Sequence, residues 1–323
     1  MKRVILLIFL ISYPLLLIYS YWEWTPETGR WINPKYAPKP TPEEQWKYAM
    51  GFYNQKEWEK ALREFRKLVK YYPRSSQAPE AQFMVGDCLE KLGKPYEAAK
   101  EYQKVLEKYP ETKRWEEILL RQKKIADKFF EERSEGILHR TKEWFTKTHW
   151  EKAGEIYRMI LRNAPYWEKA DEIKFRIGEC FLNAGKFEEA VKEFEELIRD
   201  YPSSSLVEKA SYYLCLCWVK KSEKYPNDAN LREKAEKSLK EFIAQHPNSP
   251  FLEEAERKLR KVRNNGAKML YDIAKFYEKQ GDYAAAILYY EEAFKKFPDT
   301  YWGQKANRKK KWLKNFCVSS PSS

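Results

Sequence analysis

Glycine and histidine are scarce in this sequence, with 11 Gly and 3 His among 323 residues. It contains neither a phosphate-cradling G-x-x-x-x-G-K loop nor a G-x-G-x-x-G turn, and H-E-x-x-H and G-x-S-x-G are also missing. The 5 cysteines (Cys88, Cys180, Cys215, Cys217 and Cys317) are odd in number, irregularly spaced and without a C-x-x-C pair, which argues against a disulfide framework or a zinc site. His139 and His149 fall in an insertion and His246 takes the aromatic place before Pro247, so all three read as solvated or packing residues. No nucleophile, base and orienter can be grouped. The expectation is a chain that is not an enzyme, with no metal, no cofactor and no small-molecule substrate.

Aromatic and charged residues are abundant instead. Aromatics make up 16%, including 12 Trp and 23 Tyr, and 61 Lys and Arg face 48 acidic residues for a net charge of +13. A basic surface suits an anionic partner without requiring one. The densest cluster is Lys305, Arg308, Lys309, Lys310, Lys311 and Lys314, with no acidic residue among them. It reads either as a contact for an anionic membrane face or acidic partner, or as a solvated helix end.

At the N-terminus Lys2 and Arg3 precede Val4 to Trp22, which carries no charge. This is an export signal cleaved near Ser20 or a retained anchor, and either delivers the body of the chain outside the cytoplasm, in the periplasm, associated with the outer or inner membrane. Nucleic acid is not an expected partner for such a chain. Residues 23–42 are rich in Pro and Trp and read as an extended linker.

From there to residue 298 one pattern recurs six times: an Ala, an aromatic or Leu four residues on, and a Pro twelve residues on. The alanines are Ala61, Ala98, Ala153, Ala190, Ala235 and Ala286. Their partners are Phe65, Tyr102, Tyr157, Phe194, Leu239 and Tyr290, and the prolines are Pro73, Pro110, Pro165, Pro202, Pro247 and Pro298. Twelve residues before the Ala, four units carry a small residue: Ala49, Gly86, Gly178 and Ala274. Gly93, Gly185 and Gly281 lie where a tight helix-to-helix turn needs positive φ. The sequence resembles the tetratricopeptide (TPR) family. The fold expected is all-α, a TPR solenoid of about six helix pairs with a capping helix over Tyr301 to Phe316.

Longer proline intervals mark three insertions. In unit three, helix A falls around Ile125-Ala126 and Phe129 with an insertion near 133–149, or else around Trp144. In unit five, extra residues fall in the turn within Val219 to Arg232. In unit six, Phe251 to Lys279 becomes one long helix with a weak point at Asn264-Asn265-Gly266. The corresponding division is 43–165 for N-terminal units, 166–316 for C-terminal units and 317–323 for a tail. Cys88 and Cys180 share one repeat position and read as core.

Helix A lines the concave side of a TPR stack. Counting from the aligned Ala places Trp46, Met50, Tyr53, Phe83, Asp87, Lys91, Phe175 and Glu179 on that side, as a groove for an extended apolar peptide or as packing between repeats.

From about residue 186 the match is more particular: Gly185-Lys-Phe-Glu-Glu-Ala190, Tyr201-Pro-Ser-Ser-Ser205, the insertion after Trp218, His246-Pro-Asn-Ser-Pro250, the long helix through Arg263, Tyr271-Asp-Ile-Ala-Lys-Phe-Tyr277 and Phe297-Pro-Asp-Thr300. This order resembles the BamD family, TPR lipoproteins of outer-membrane β-barrel assembly. The resemblance implies a membrane-associated adaptor that docks on the barrel-assembly core protein through its C-terminal units, at Tyr271, Lys275 and Glu278. It also implies that unfolded barrel precursors are held by the N-terminal units. Two departures stand out. The family carries its lipid on a cysteine just after the signal, whereas the first cysteine here is Cys88, and it has five repeats where this chain has six.

Overall fold

The structure, a computed structural model, describes residues 23–25, 30–32, 37–132 and 148–319. The apolar segment through Ser20, His139, most of the 133–149 insertion with Trp144, and residues 320–323 lie outside them. Among the described residues the chain is all-helical apart from two paired three-residue strands, β1 (Glu23–Thr25) and β2 (Arg30–Ile32), antiparallel with Trp24 opposite Trp31. The stretch expected as an extended linker therefore folds back on itself at its start.

Two compact units divide at Lys113 and Arg114. The first holds α1 (Pro42–Asn54), α2 (Trp58–Tyr71), α3 (Ala78–Lys91) and α4 (Pro95–Lys108). The second holds α5 (Trp115–Glu131), α6 (His149–Asn163), α7 (Ala170–Asn183), α8 (Phe187–Asp200), α9 (Val207–Lys224), α10 (Ala229–Gln245), α11 (Leu252–Lys279), α12 (Tyr283–Lys296) and α13 (Tyr301–Ser319). A boundary at 165/166 would cut through continuous packing, because α6 lies against α7 as it does against α5.

Within each unit consecutive helices pair as antiparallel hairpins. All six repeat alanines are fully buried, and so are Phe65, Tyr102, Tyr157, Phe194, Leu239 and Tyr290. Spacing of four puts the Ala and the ring on one face of helix B, so that the ring lies over helix A where it has no side chain. A Cβ on Gly86 would sit 2.5 Å from the Tyr102 ring, and one on Gly178 2.5 Å from the Phe194 ring. Burying each such ring contributes roughly 1.5–3 kcal/mol. The turns follow the sequence too: Gly93, Gly185 and Gly281 take φ of +70°, +73° and +82°, and Lys56 stands in the corresponding place between α1 and α2 with φ of 60°. Each proline ends its helix by holding the preceding residue out of the α region, as at Tyr72 with φ −125°.

Unit three uses Ile125, Ala126 and Phe129, all buried on α5, which pairs with α6. Two expectations need correction. The extra residues of unit five do not make a long turn; they lengthen both helices, α9 to 18 residues and α10 to 17, on either side of a short Pro226–Asp228 turn. Asn264-Asn265-Gly266 is no weak point either. Helix α11 runs unbroken for 28 residues, and Gly266 is there for space, since a Cβ would lie 2.8 Å from the Phe297 ring. The last helix, α13, packs Ala306 and Leu313 against Tyr271, Ala274, Ala286 and Tyr290, touching both α11 and α12.

Candidate functional site

The helix A positions singled out from the sequence divide by what surrounds them. Trp46, Phe83, Phe175 and Tyr271 occupy one repeat position, fifteen residues before the aligned Ala. Each packs at a tilt against the ring four residues after that Ala: Trp46 on Phe65 at 5.4 Å, Phe83 on Tyr102 at 5.2 Å, Phe175 on Phe194 at 5.4 Å and Tyr271 on Tyr290 at 5.2 Å between centroids. Phe83, Phe175 and Tyr271 are therefore 2%, 3% and 5% exposed, too little to offer a partner much surface, although Tyr271 sits at the base of a small cleft between α11 and α13. Trp46 remains half-buried. The position points toward helix B of its own hairpin, where a large ring completes the seam.

In the first unit Asp87 is also buried, accepting a hydrogen bond of 2.5 Å from the Tyr53 hydroxyl. Met50 and Tyr53 are half-buried, and Lys91 is exposed. In the second unit Glu179 is half-buried beside Arg176, at 3.1 Å. Burial pushes its carboxyl above the usual range despite the opposing charges of Arg176 and Lys209. The four cysteines Cys88, Cys180, Cys215 and Cys217 are buried free thiols, and burial raises Cys88 and Cys217 to about 12.

The residues left exposed are concentrated elsewhere. Phe276, Tyr283, Leu288, Tyr301, Trp312 and Phe316 all stand out from α11, α12 and α13, with Phe276 57% exposed. Lys275 is exposed on the same helix. Glu278 is half-buried and accepts from the Tyr290 hydroxyl at 2.7 Å and from Lys309 Nζ at 2.9 Å. Burial disfavours its charge, but those hydrogen bonds and the Lys309 ammonium outweigh this and hold the carboxyl below its usual range. A cleft of about 840 Å³ runs between the α9–α10 turn and α11, lined by Val262, Met269, Ile273 and Phe276 with Arg232 at its side. The Arg232 guanidinium donates to the Pro226 carbonyl at 2.9 Å and lies within the field of Asp228, without an ion pair among the described residues.

The basic cluster is split by the helix it lies on. Lys309, Lys310 and Lys314 face acids, with Lys310 and Lys314 3.8 and 3.7 Å from Glu291. Lys305 lies 4.5 Å over the Trp302 ring, while Arg308 and Lys311 are exposed. Sequence reasoning missed Phe276, Leu288, Trp312 and Phe316. For the last two the signal was present, as two rings four residues apart within a lysine run.

Among the described residues no cluster of His, Cys, Asp and Glu is placed to hold a metal ion. Residues 131–311 match the family described as YfiO, outer membrane lipoprotein, and residues 49–111 match a tetratricopeptide repeat family. Outer membrane protein assembly factor BamD of Caulobacter vibrioides is 24% identical over 159 residues, covering 49% of this chain and 52% of that protein. Its counterpart in Buchnera aphidicola is 26% identical over 146 residues, covering 42% and 59%. The chain thus spans little more than half the length of these relatives. Similar solved structures include the TPR protein YrrB, 18% identical over 69% of this chain and 94% of that one with a TM-score of 0.31, and the type IV pilus biogenesis factor PilW, 13% identical over 82% and 97% with a TM-score of 0.28.

Proposed function

Because this chain belongs to the YfiO family of outer-membrane lipoproteins, we propose that it is a non-catalytic adaptor in outer-membrane β-barrel assembly, with a core protein of that machine as its partner. The observation that carries the reading is the family match over residues 131–311, which takes in α11 and α12 with their exposed Phe276, Tyr283 and Leu288. Docking falls to Phe276 and Lys275, beside the α11 cleft, rather than to Tyr271, which is packed inside. The cleft is apolar along its floor and charged at its edges, as protein interfaces are. Unfolded barrel precursors are assigned to the N-terminal units, where Trp46, Met50 and Lys91 keep accessible surface.

The test is cross-linking and affinity purification of the tagged full chain from its native envelope, set beside a Phe276→Glu variant. The reading requires that a barrel-assembly core protein co-purifies with the parent chain and is lost with the variant. The point substitution is cleaner than removing α11–α13, which would uncover Tyr212 and Phe242 of the core beneath. If neither bait recovers a barrel-assembly protein while other envelope proteins are recovered, the chain is a soluble scaffold for another envelope complex, such as one for constriction or polymer export.

A further inference from the structure

Helix α13 presents its bulk outward. The side facing α11 and α12 is built from small and medium residues, with Gly303, Ala306 and Leu313 buried. The opposite side carries Tyr301, Gln304, Arg308 and Lys311 at three- and four-residue steps, all exposed, and the edge beside them carries Trp312 and Phe316, also exposed, with Phe316 against the Tyr283 ring of α12 at 5.9 Å. Trp312 and Phe316 stack in parallel, their centroids 5.5 Å apart, and are still 54% and 41% exposed. A helix that merely closed a stack would place such rings inward and leave polar side chains outside.

Charge sharpens the point. From Tyr301 to Ser319 there is no acidic residue. The lysines on the inner edges find Glu278 and Glu291, but Arg308 and Lys311 form no ion pair among the described residues, nor does Lys279 on α11, while Lys275 acts on Glu278 only through its charge. Those two lysines line a cleft of about 350 Å³ whose other wall is Lys309, Trp312, Leu313 and Phe316. Unpaired cations thus flank exposed rings on one side of the molecule.

We propose that the outer face of α13 docks on an anionic phospholipid bilayer, with Trp312 and Phe316 entering the interface and Arg308, Lys311, Lys275 and Lys279 meeting lipid phosphates. An amphipathic ring next to a long cationic side chain is the pairing that suits the boundary between headgroups and acyl chains. An acidic peptide would neutralise the cations but gives the exposed Trp312 and Phe316 rings no apolar phase to enter, which a bilayer interface does. This inference shares only Lys275 with the protein docking proposed above, and the residues varied in its test, Arg308 and Lys311, take no part in that docking.

Cys317 makes the test local. It is exposed next to Phe316, whereas the other four thiols are buried, so a polarity-sensitive fluorophore attached to the folded full chain reports on α13 alone and not on the apolar N-terminal segment. With vesicles of phosphatidylcholine and phosphatidylglycerol its emission shifts to the blue. The shift disappears with phosphatidylcholine alone and weakens with added salt. Arg308→Gln with Lys311→Gln, both on the surface, lowers the apparent vesicle affinity about thirtyfold. The proposal is overturned if the chain sediments with anionic vesicles while the probe is unchanged, because the N-terminal segment would then be the sole attachment. It is equally overturned if polyglutamate moves the emission and the vesicles do not, since the face would then serve an acidic protein.

Discussion

Helices α3 and α11 occupy the same place in their hairpins and carry an aromatic at the same repeat position, yet they present opposite surfaces. In α3 the ring of Phe83 and the carboxylate of Asp87 are both inside, and ten of its residues are buried. In α11 Tyr271 is inside by the same ring packing, but the position matching Asp87 is Lys275, exposed, and Phe276 beside it stands in solvent. The repeat therefore dictates the seam within a hairpin and leaves the next position free. Whether that position is spent on packing or on a partner depends on what lies against it.

Substitutions that separate the two roles follow from this contrast. Phe83→Ala should lower stability by about 3–5 kcal/mol, because a fully packed ring is replaced by a cavity; urea unfolding followed by circular dichroism measures it. A loss below about 1 kcal/mol would put Phe83 on the surface after all. Gly86→Ala should cost about 1–3 kcal/mol despite the better helix propensity of Ala, since its Cβ would press on the Tyr102 ring at 2.5 Å. The double substitution Gly86→Ala with Tyr102→Leu should recover part of that loss, which a propensity effect would not allow.

Glu278 provides the pH arm. Its folded carboxyl titrates below the ordinary value, so the bond holding α13 through Lys309 contributes fully above the unfolded carboxylate range and is lost as pH falls through the depressed folded value. Amide exchange in α13 should rise on acidification through that window, and Glu278→Gln should weaken the dependence while costing about 1–3 kcal/mol. Exchange in α13 that ignores both changes would show that Ala306 and Leu313 hold the helix alone. The smallest effect on stability belongs to Phe276→Ser and Trp312→Ser, within about 0.5 kcal/mol, because neither ring is buried. For Phe276→Ser the loss should appear in partner recovery, and for Trp312→Ser in vesicle binding. A stability loss comparable to that of Phe83→Ala would remove the distinction between the two helices.

Much of the fold was legible before any coordinates, and particular residues show why. The Ala and the ring four residues on are tied together by helix geometry, and the turn glycines by the φ that a tight connection demands, so six hairpins could be placed from spacing alone. The same counting left Phe83, Asp87 and Phe175 open between groove and packing, which burial decides for packing, and the docking role that the family resemblance implied for Tyr271 fell on a ring that is 5% exposed. A helix has more than one neighbour, and a position facing away from solvent on one side of a hairpin is not marked as such in one sequence. Likewise the unit-five insertion was visible as extra length, but nothing in Val219 to Arg232 said that it would extend two helices rather than widen a turn. Trp312 and Phe316 were not singled out within the capping helix, and their exposure follows from Gly303, Ala306 and Leu313 occupying the inner face.

The sequence by itself determined the all-helical repeat, the register of most hairpins, the length of α11 and the family. All of these rest on interactions between residues close in the chain or on backbone angles that few residue types can adopt. Only the tertiary structure decided which aromatics are core and which are surface, where the compact units divide, and which cations of the α13 cluster are left without an acid. Each of those depends on helices far apart in sequence coming to lie side by side, and burial and charge pairing are properties of that arrangement rather than of any residue taken alone.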